Sequence, residues 1–389
     1  MSNTFDKISD FKNVKIFQGL NELRFIAAFF VVLHHSETIK RKNGLPNLEW
    51  LGLFRNGANA VTLFFVLSGF LITYLLLKES DKTNTISIHK FYLKRILRIW
   101  PLYFLLVLIG TLGLGFILPL FDISYEMPYG LNQTWFYFLF FLPGLVTFFY
   151  GHHLLEPLWS IGVEEVFYLI WAPLFKYFKK KILKLLFSLI AIKIILNFIA
   201  IYLTSNELFN YCVNTFQIES MAIGGIGAYL LYTRGSSFTN NFIFKVPFQI
   251  IAVVVLFTMI VFHSNINNIY WDVLFKTPIL SKLFVDFLFL YLILNVSCVE
   301  QSILKLRSKP LAFLGEISYG IYMYHMLAIF ATIAFLKNYL SSINSILCFI
   351  IFLGVTTLIT LMVSLFSKYF FENYFLRIKT KLENRKSEL

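Results

Sequence analysis

Long apolar runs separated by short clusters of charged residues dominate this chain. Most of the runs approach the ~20 residues that an α-helix needs to cross a bilayer. Ten can be counted, at residues 21–37, 58–78, 94–118, 158–178, 182–203, 219–233, 246–263, 282–299, 311–336 and 344–371. The pattern predicts an all-α integral membrane protein, a polytopic bundle of about ten transmembrane helices.

The positions of lysine and arginine predict the topology, because cytoplasmic loops are enriched in both. The basic clusters share one side of the membrane if the apolar run 135–150 is a re-entrant or interfacial segment. The clusters that then lie inside are 78–98, 176–184, 234–245, 305–309 and 377–386. The first outer loop conflicts with this topology, since it contains Lys40, Arg41, Lys42 and Arg55.

Three regions follow from this topology. Residues 1–20 form a cytoplasmic N-terminal segment, residues 21–371 form a single transmembrane domain, and residues 372–389 form a cytoplasmic basic tail. We expect a multi-pass protein of the cell (inner) membrane with both termini in the cytoplasm.

Composition excludes other classes of protein. With 58% hydrophobic and 14% charged residues, the chain is too apolar for an ordinary soluble domain. The net charge of +13 would suit nucleic-acid binding, but the basic residues form short clusters between spans and no continuous basic face. We therefore expect no nucleic-acid partner. Cys212, Cys298 and Cys348 are widely separated and suggest neither a disulfide framework nor a metal site.

The first apolar run contains ionisable residues. Arg24 and His35 are 11 positions apart, so on an α-helix they lie within about 20° of each other and about 16 Å apart. An arginine near the middle of a bilayer costs roughly 3 kcal/mol, and such residues usually face a bundle interior or a watery cavity. We expect this face of the helix to line a polar pathway.

Arg95 and Arg98 are one helical turn apart at the cytoplasmic end of the third run. Basic residues at such a boundary are commonly anchors whose charged ends reach the interface. The functional alternative is a clamp for an anion, since arginine binds phosphate with two parallel hydrogen bonds.

Glu164 and Glu165 lie near the outer end of the 158–178 run. Because adjacent helical residues point about 100° apart, the two carboxylates cannot face the same partner. By depth, either could meet His35 and fix its tautomer, as a general base acting on a hydroxyl requires. The alternative is a buried ion pair that locks two helices together.

Three further candidates have strong structural alternatives. Tyr319 lies near a predicted membrane boundary, where tyrosines usually form an interfacial belt. His325 lies deeper and is as readily a core histidine as a catalytic one. Ser68 is alone in the second run, where a serine commonly bonds the backbone four residues earlier.

Five segments carry a resemblance to a known family, and they read NELRFIAAFFVVLHH, NAVTLFFVLSGFLI, FYLKRILRIWPLY, PLWSIGVEEVFYL and LGEISYGIYMYH. In this order they resemble the acyltransferase family 3 membrane proteins, which O-acylate extracytoplasmic carbohydrates. The family's Arg-x10-His motif falls on Arg24 and His35, and its Arg-x-x-Arg motif falls on Arg95 and Arg98. Its Ser-Gly-Phe motif falls on Ser68 to Phe70, and its tandem glutamates fall on Glu164 and Glu165.

The resemblance implies a transmembrane acyltransferase domain. Its donor would be acetyl-CoA in the cytosol, without a metal. Its acceptor would be a sugar hydroxyl of a carbohydrate, lipid-linked or not, for example in lipopolysaccharide O-antigen. Some relatives carry a C-terminal SGNH-type hydrolase domain. Because this sequence ends soon after Phe371, we expect a stand-alone form that transfers directly or uses a separate extracytoplasmic transferase partner.

On the donor side, the resemblance and the residues together predict that Arg95 and Arg98 hold the phosphates of acetyl-CoA. Arg24 would then contact the pantetheine arm or the thioester inside the bundle.

On the acceptor side, His35 would take the proton of the hydroxyl, with Glu164 or Glu165 orienting its ring. Ser68, Tyr319 or Arg24 would stabilise the oxyanion. A covalent acyl-enzyme on Ser68 or a tyrosine is a second possibility.

Two other classes of protein also fit an apolar bundle with buried charges. A secondary transporter is disfavoured because the sequence has neither recognisable halves nor paired broken helices. A lipid-linked glycan flippase or polymerase is disfavoured by the five ordered motifs.

Overall fold

A computed structural model describes residues 11–114, 120, 128–262 and 278–384, which are mostly helical and contain no strand. Parts of the predicted N-terminal segment and of the predicted basic tail, residues 1–10 and 385–389, lie outside the described residues. The α-helices are α1 (Leu20–Lys42), α2 (Gly57–Thr83), α3 (Ile88–Leu108), α4 (Leu131–Leu139), α5 (Pro143–Tyr150), α6 (Trp159–Tyr177), α7 (Ile182–Tyr202), α8 (Glu207–Thr215), α9 (Ile218–Arg234), α10 (Ser236–Thr239), α11 (Val246–Phe262), α12 (Pro278–Cys298), α13 (Lys309–Glu316), α14 (Ser318–Ser341), α15 (Ser345–Ser367) and α16 (Asn373–Asn384).

Among the described residues, seven helices are long and apolar enough to cross a membrane. They are Gly57–Thr83, Ile88–Gly113, Glu156–Tyr177, Lys179–Tyr202, Pro278–Cys298, Ser318–Ser341 and Ser345–Lys381. The chain is therefore an all-α polytopic membrane protein, as predicted. The other three predicted spans are also helical. However, α1 carries several charged residues, and α9 and α11 have only 17 residues each.

The apolar run 135–150 is not a membrane crossing. It forms α4 and α5, which have 9 and 8 residues and are separated by a turn at Phe141, whose φ is +57°. Neither helix has the ~20 residues that a crossing needs. This short helical pair agrees with the prediction of a re-entrant or interfacial segment.

The first helix is longer than predicted, which removes part of the conflict in the charge pattern. α1 continues past the predicted end at residue 37 and reaches Lys42. Lys40 is fully buried, with its ammonium 5.6 Å from the ring centres of both Phe349 and Phe352. Lys40 therefore belongs to a helix and packs against aromatic rings, and it is not an exposed residue of the predicted outer loop. Arg41, Lys42 and Arg55 are exposed.

The predicted span 311–336 is two helices. α13 ends at Glu316 and α14 begins at Ser318, whose hydroxyl donates to the Gly315 carbonyl at 2.7 Å. A Cβ at Gly315 would overlap the backbone of Asn21, so the glycine allows a close approach between α13 and the start of α1. The span that follows starts at Ser318 instead of residue 311.

Local sequence signals explain several of the other helix boundaries. Asn206 and Asn344 precede α8 and α15, and each accepts a hydrogen bond from a backbone N–H of the first turn. Asn84 and Gly235 end α2 and α9 with positive φ angles of 55° and 54°, a conformation that asparagine and glycine tolerate.

The described chain divides into two compact units. The first comprises Met1–Thr38, Leu48–Ile86 and Leu174–Ser318, with α2, α7 to α13 and most of α1. The second comprises Ile39–Asn47, Ser87–Pro173 and Tyr319–Leu389, with α3 to α5, most of α6, and α14 to α16. Whether residues 21–371 act as a single domain stays a prediction.

Close backbone packing of α2 against α9 forms the centre of the first unit. A Cβ on Gly69 of α2 would overlap the backbone of Met221, and a Cβ on Gly224 of α9 would overlap the Val66 carbonyl. Small residues at a helix interface let two backbones approach in this way.

Substituting Gly224 by alanine should destabilise the protein, because the added methyl group meets backbone atoms that cannot rotate away. We expect the free energy of unfolding to fall by about 1–3 kcal/mol, read as a lower unfolding temperature in detergent. Gly354→Ala is the matched control, since no atom lies within 4 Å of its added Cβ. Equal unfolding temperatures for the two variants would contradict this packing.

Candidate functional site

Two half-buried carboxylates in α6 form the centre of a polar cluster in the second unit. Glu165 accepts a hydrogen bond from the indole N–H of Trp100 at 3.1 Å, and Glu164 accepts one from the Tyr168 hydroxyl at 2.8 Å. The adjacent glutamates thus have different partners, as their 100° separation predicts. The second oxygen of Glu165 is buried and has no hydrogen-bond partner among the described residues.

Arg95 of α3 is half-buried beside these carboxylates. Its guanidinium carbon lies 5.8 Å from the ring centre of Phe91 and 5.7 Å from that of Tyr168. It also lies within electrostatic range of both glutamates. Its Nε is buried without a hydrogen-bond partner in the described part of the chain. A packed guanidinium of this kind does not match the simple membrane anchor that its position in sequence suggested.

Arg98 has a different environment from Arg95, although one helical turn separates them. Its side chain is exposed, and it lies within electrostatic range of Glu372 and Tyr319. The two arginines therefore do not form a symmetric pair, and Arg98 is the one whose guanidinium can reach a ligand. Their role as a phosphate clamp stays a prediction.

The tyrosines at the start of α14 connect helices within the second unit. The Tyr319 hydroxyl donates to the Ile99 carbonyl at 2.9 Å, and the Tyr322 hydroxyl lies 2.7 Å from the Ser160 hydroxyl. Tyr322 is buried. His325 is also fully buried, and its Nδ1 lies 2.5 Å from the Tyr322 carbonyl.

Arg24 and His35 both lie in the first unit, on α1, and both are half-buried. Arg24 donates to the Asn21 side chain at 3.2 Å. The ring of His35 lies 5.2 Å from the ring of His34. The Nδ1 of His34 lies 2.9 Å from the Phe54 carbonyl, and this contact holds the His34 ring. His34 also packs against Gly57 at the start of α2, where a Cβ would overlap its ring.

The predicted pairing of His35 with a glutamate of α6 stays a prediction. His35 belongs to the first unit, and Glu164 and Glu165 belong to the second. Ser68, also in the first unit, is half-buried on α2. Its neighbour Gly69 gives the Ser-Gly-Phe motif a structural role, because it allows the close contact with α9.

Four ionisable residues of the first unit were not among the predicted site residues. Lys282 and Asp286 of α12 form an ion pair of 2.9 Å, and Lys193 of α7 lies 3.7 Å from Glu219 of α9. Each is in or at the end of an apolar run, the same signal that pointed to Arg24. Among the described residues no group of three or more metal-ligating side chains could hold a metal ion.

Comparison with known proteins establishes the family. A family model described as an acyltransferase domain matches residues 17–365, a range that includes all five motif segments. The chain belongs to the acyltransferase 3 family. No solved structure matches this acyltransferase chain.

Two relatives of this chain are bacterial proteins at low identity. A Staphylococcus aureus (strain COL) protein named "Putative O-acetyltransferase SACOL0978" is 27% identical over 347 residues, which is 85% of this chain and 52% of that protein. The Listeria monocytogenes protein named "Peptidoglycan O-acetyltransferase OatA" is 25% identical over 324 residues, covering 80% of this chain and 49% of its own. The acyltransferase chain spans about half the length of the curated relatives it matches.

His153, in the loop before α6, is a buried histidine outside the membrane-spanning helices of the second unit. Its Nε2 lies 3.2 Å from the Thr147 hydroxyl, and its ring meets that of Tyr129 edge-on at 5.2 Å. Burial, and to a smaller extent the neighbouring His152, lowers the pKa of His153 to about 4. The folded protein therefore keeps this imidazole neutral.

Acidification should destabilise the protein through His153. Below pH 6.5 the imidazole of His153 binds a proton in the unfolded state, whereas in the folded state it does so only below about pH 4. The stability at neutral pH is thus lost as the pH falls through this window, by up to about 3 kcal/mol. We expect the unfolding temperature of His153→Gln in detergent to depend less on pH than that of the wild type, with His89→Gln, at an exposed site of α3, as control. Identical pH dependence in the wild type and His153→Gln would disprove the assignment.

Proposed function

We propose that this acyltransferase moves an acetyl group from cytosolic acetyl-CoA to a hydroxyl group of a cell-surface carbohydrate. The family match over residues 17–365 is the observation that carries this proposal. O-acetyl transfer is the reaction for which the matched relatives are named, and one name specifies peptidoglycan. Peptidoglycan and lipopolysaccharide O-antigen both belong to the proposed class of acceptor, which is lipid-linked or free.

The donor would bind on the cytoplasmic side of α3, near the start of the predicted span at residue 94. Arg98 lies in the middle of α3 and is exposed, and phosphate groups are the ligands that an accessible guanidinium binds best. Arg95 shares its charge with nearby carboxylates, so its contribution to anion binding would be smaller. In this proposal Arg24 contacts the pantetheine arm or the thioester.

In the transfer itself, the acceptor hydroxyl oxygen attacks the thioester carbonyl carbon. The new C–O bond forms as the C–S bond breaks, His35 takes the hydroxyl proton, and coenzyme A leaves as a thiolate that is then protonated. Glu164 or Glu165 would orient His35, and Ser68, Tyr319 or Arg24 would stabilise the oxyanion. In the alternative, the acceptor hydroxyl does not attack the thioester directly. The acyl group is instead passed to a separate extracytoplasmic transferase, which acylates the acceptor.

Inside-out membrane vesicles test the direction of transfer, because they expose the cytoplasmic face to added donor. With carbonyl-¹³C acetyl-CoA outside, we expect base-labile label on glycan enclosed in wild-type vesicles and none in vesicles from a deletion strain. Labelled glycan in both preparations would contradict the proposal. Uptake of glycan without any label would favour a transporter or flippase.

Arg98→Ala should weaken binding of the donor and leave binding of the acceptor unchanged. Losing a charge-assisted hydrogen bond costs about 1.5–3 kcal/mol, so we expect the KM for acetyl-CoA to rise at least ~10-fold. Lys90→Ala removes an exposed positive charge from the same helix and serves as the control. A change confined to the acceptor KM would contradict the clamp.

A further inference from the structure

We propose that a polar cluster in the first unit binds hydroxyl groups of the carbohydrate acceptor. This inference rests on the proposed function, and it adds a binding site for the acceptor. The cluster, here called the Lys282 cluster, consists of Thr62, Gln217, Ser220, Lys282 and Asp286. On the predicted topology these residues lie near the outer ends of α2, α9 and α12, the side from which a surface glycan would approach.

Hydrogen bonds connect the Lys282 cluster across three helices. The Lys282 ammonium donates to Asp286 at 2.9 Å, to the Ser220 hydroxyl at 2.7 Å and to the Thr62 hydroxyl at 3.3 Å. Thr62 in turn donates to the side-chain oxygen of Gln217 at 3.1 Å. Each polar group is thereby held in one orientation before any ligand arrives.

Mechanical stability alone does not account for this polarity. Burying an ion pair costs several kcal/mol per ion, and apolar residues of similar volume often hold helices together equally well. Asp286 is fully buried, and its Oδ2 has no hydrogen-bond partner among the described residues. A polar cluster kept at this cost is consistent with a binding role, which apolar side chains of similar volume could not fill.

Part of the cluster is accessible to a ligand. The Lys282 side chain keeps 22% of its exposure, and Gln217 is half-buried. Asn59, one helical turn before Thr62 on α2, is also half-buried. Ammonium, amide and hydroxyl groups supply the donors and acceptors that sugar hydroxyls need. Because Asp286 neutralises Lys282, the cluster suits a neutral polyol better than a phosphate.

A second ion pair keeps Gln217 in place. Lys193 of α7 lies 3.7 Å from Glu219 and donates to the carbonyls of Val213 and Phe216 at the end of α8. It therefore joins the end of α8 to the start of α9, and Gln217 lies between these two points. Lys193 and Glu219 are positioning residues and would not touch the acceptor.

The Lys282 cluster and His34 of α1 both contact the first part of α2. His34 packs on Gly57, and Thr62 follows about 8 Å further along the helix axis. Gly57 and Thr62 point to different sides of α2, so an acceptor bound at the cluster would have to extend around α2 to approach α1.

Steady-state kinetics of two cluster variants test the inference. Lys282→Met removes the charged donor and keeps a side chain of similar length. Thr62→Val removes one hydroxyl group at nearly constant volume. The second variant provides the test if Lys282→Met folds poorly. The acceptor is surface glycan from a deletion strain after mild base treatment, with acetyl-CoA as donor. We expect each variant to raise the KM for glycan about tenfold, the effect of losing ~1.4 kcal/mol of binding, with the KM for acetyl-CoA unchanged.

Lys245→Met, at an exposed site in the same unit, is the matched control and should leave both KM values unchanged. An unchanged glycan KM in both cluster variants, or a fall in kcat alone, would overturn the inference and leave the proposed function intact. Absence of transfer by the wild type would instead contradict the proposed function itself.

Discussion

Burying a charged side chain among apolar helices costs several kcal/mol unless an opposite charge or a hydrogen-bond partner lies against it. In both units of this chain, a basic side chain in an apolar helix has charged or polar partners on neighbouring helices. In the second unit Arg95 lies beside the carboxylates of α6 and two aromatic rings. In the first unit Lys282 forms an ion pair with Asp286 on its own helix and donates to hydroxyl groups on two other helices.

In the proposed reaction, the residues that bind the donor phosphates and those that bind the acceptor belong to different units. The exposed arginine of α3 and the paired glutamates belong to the second unit, and the proposed base and acceptor cluster belong to the first. A transferase needs a donor site and an acceptor site that are each organised before the substrates meet. In the proposed reaction, the partners of each buried charge would supply that organisation.

Helical class and most span positions could be predicted because hydrophobicity over ~20 residues is a local property. Helix boundaries and side-chain environments that depend on tertiary packing could not be predicted from the sequence. Lys40 reads as a loop charge until Phe349 and Phe352 surround it. The different surroundings of Arg95 and Arg98 depend likewise on what faces each side of α3. Lys282 and Asp286 were visible as charges one helical turn apart in an apolar run, but the hydroxyl groups that Lys282 also bonds, on Thr62 and Ser220, lie far away in sequence.

The central claim is that this chain acetylates a surface glycan with His35 as the base. Its most direct test is proton NMR of base-labile acetyl groups on surface glycan from a deletion strain complemented with wild type, with His35→Ala or with empty vector. We expect an acetyl signal on one hydroxyl position in the strain with wild type only. Immunoblots should show equal amounts of the wild type and of His35→Ala in the membrane. An undiminished signal with His35→Ala, or with empty vector, would contradict it.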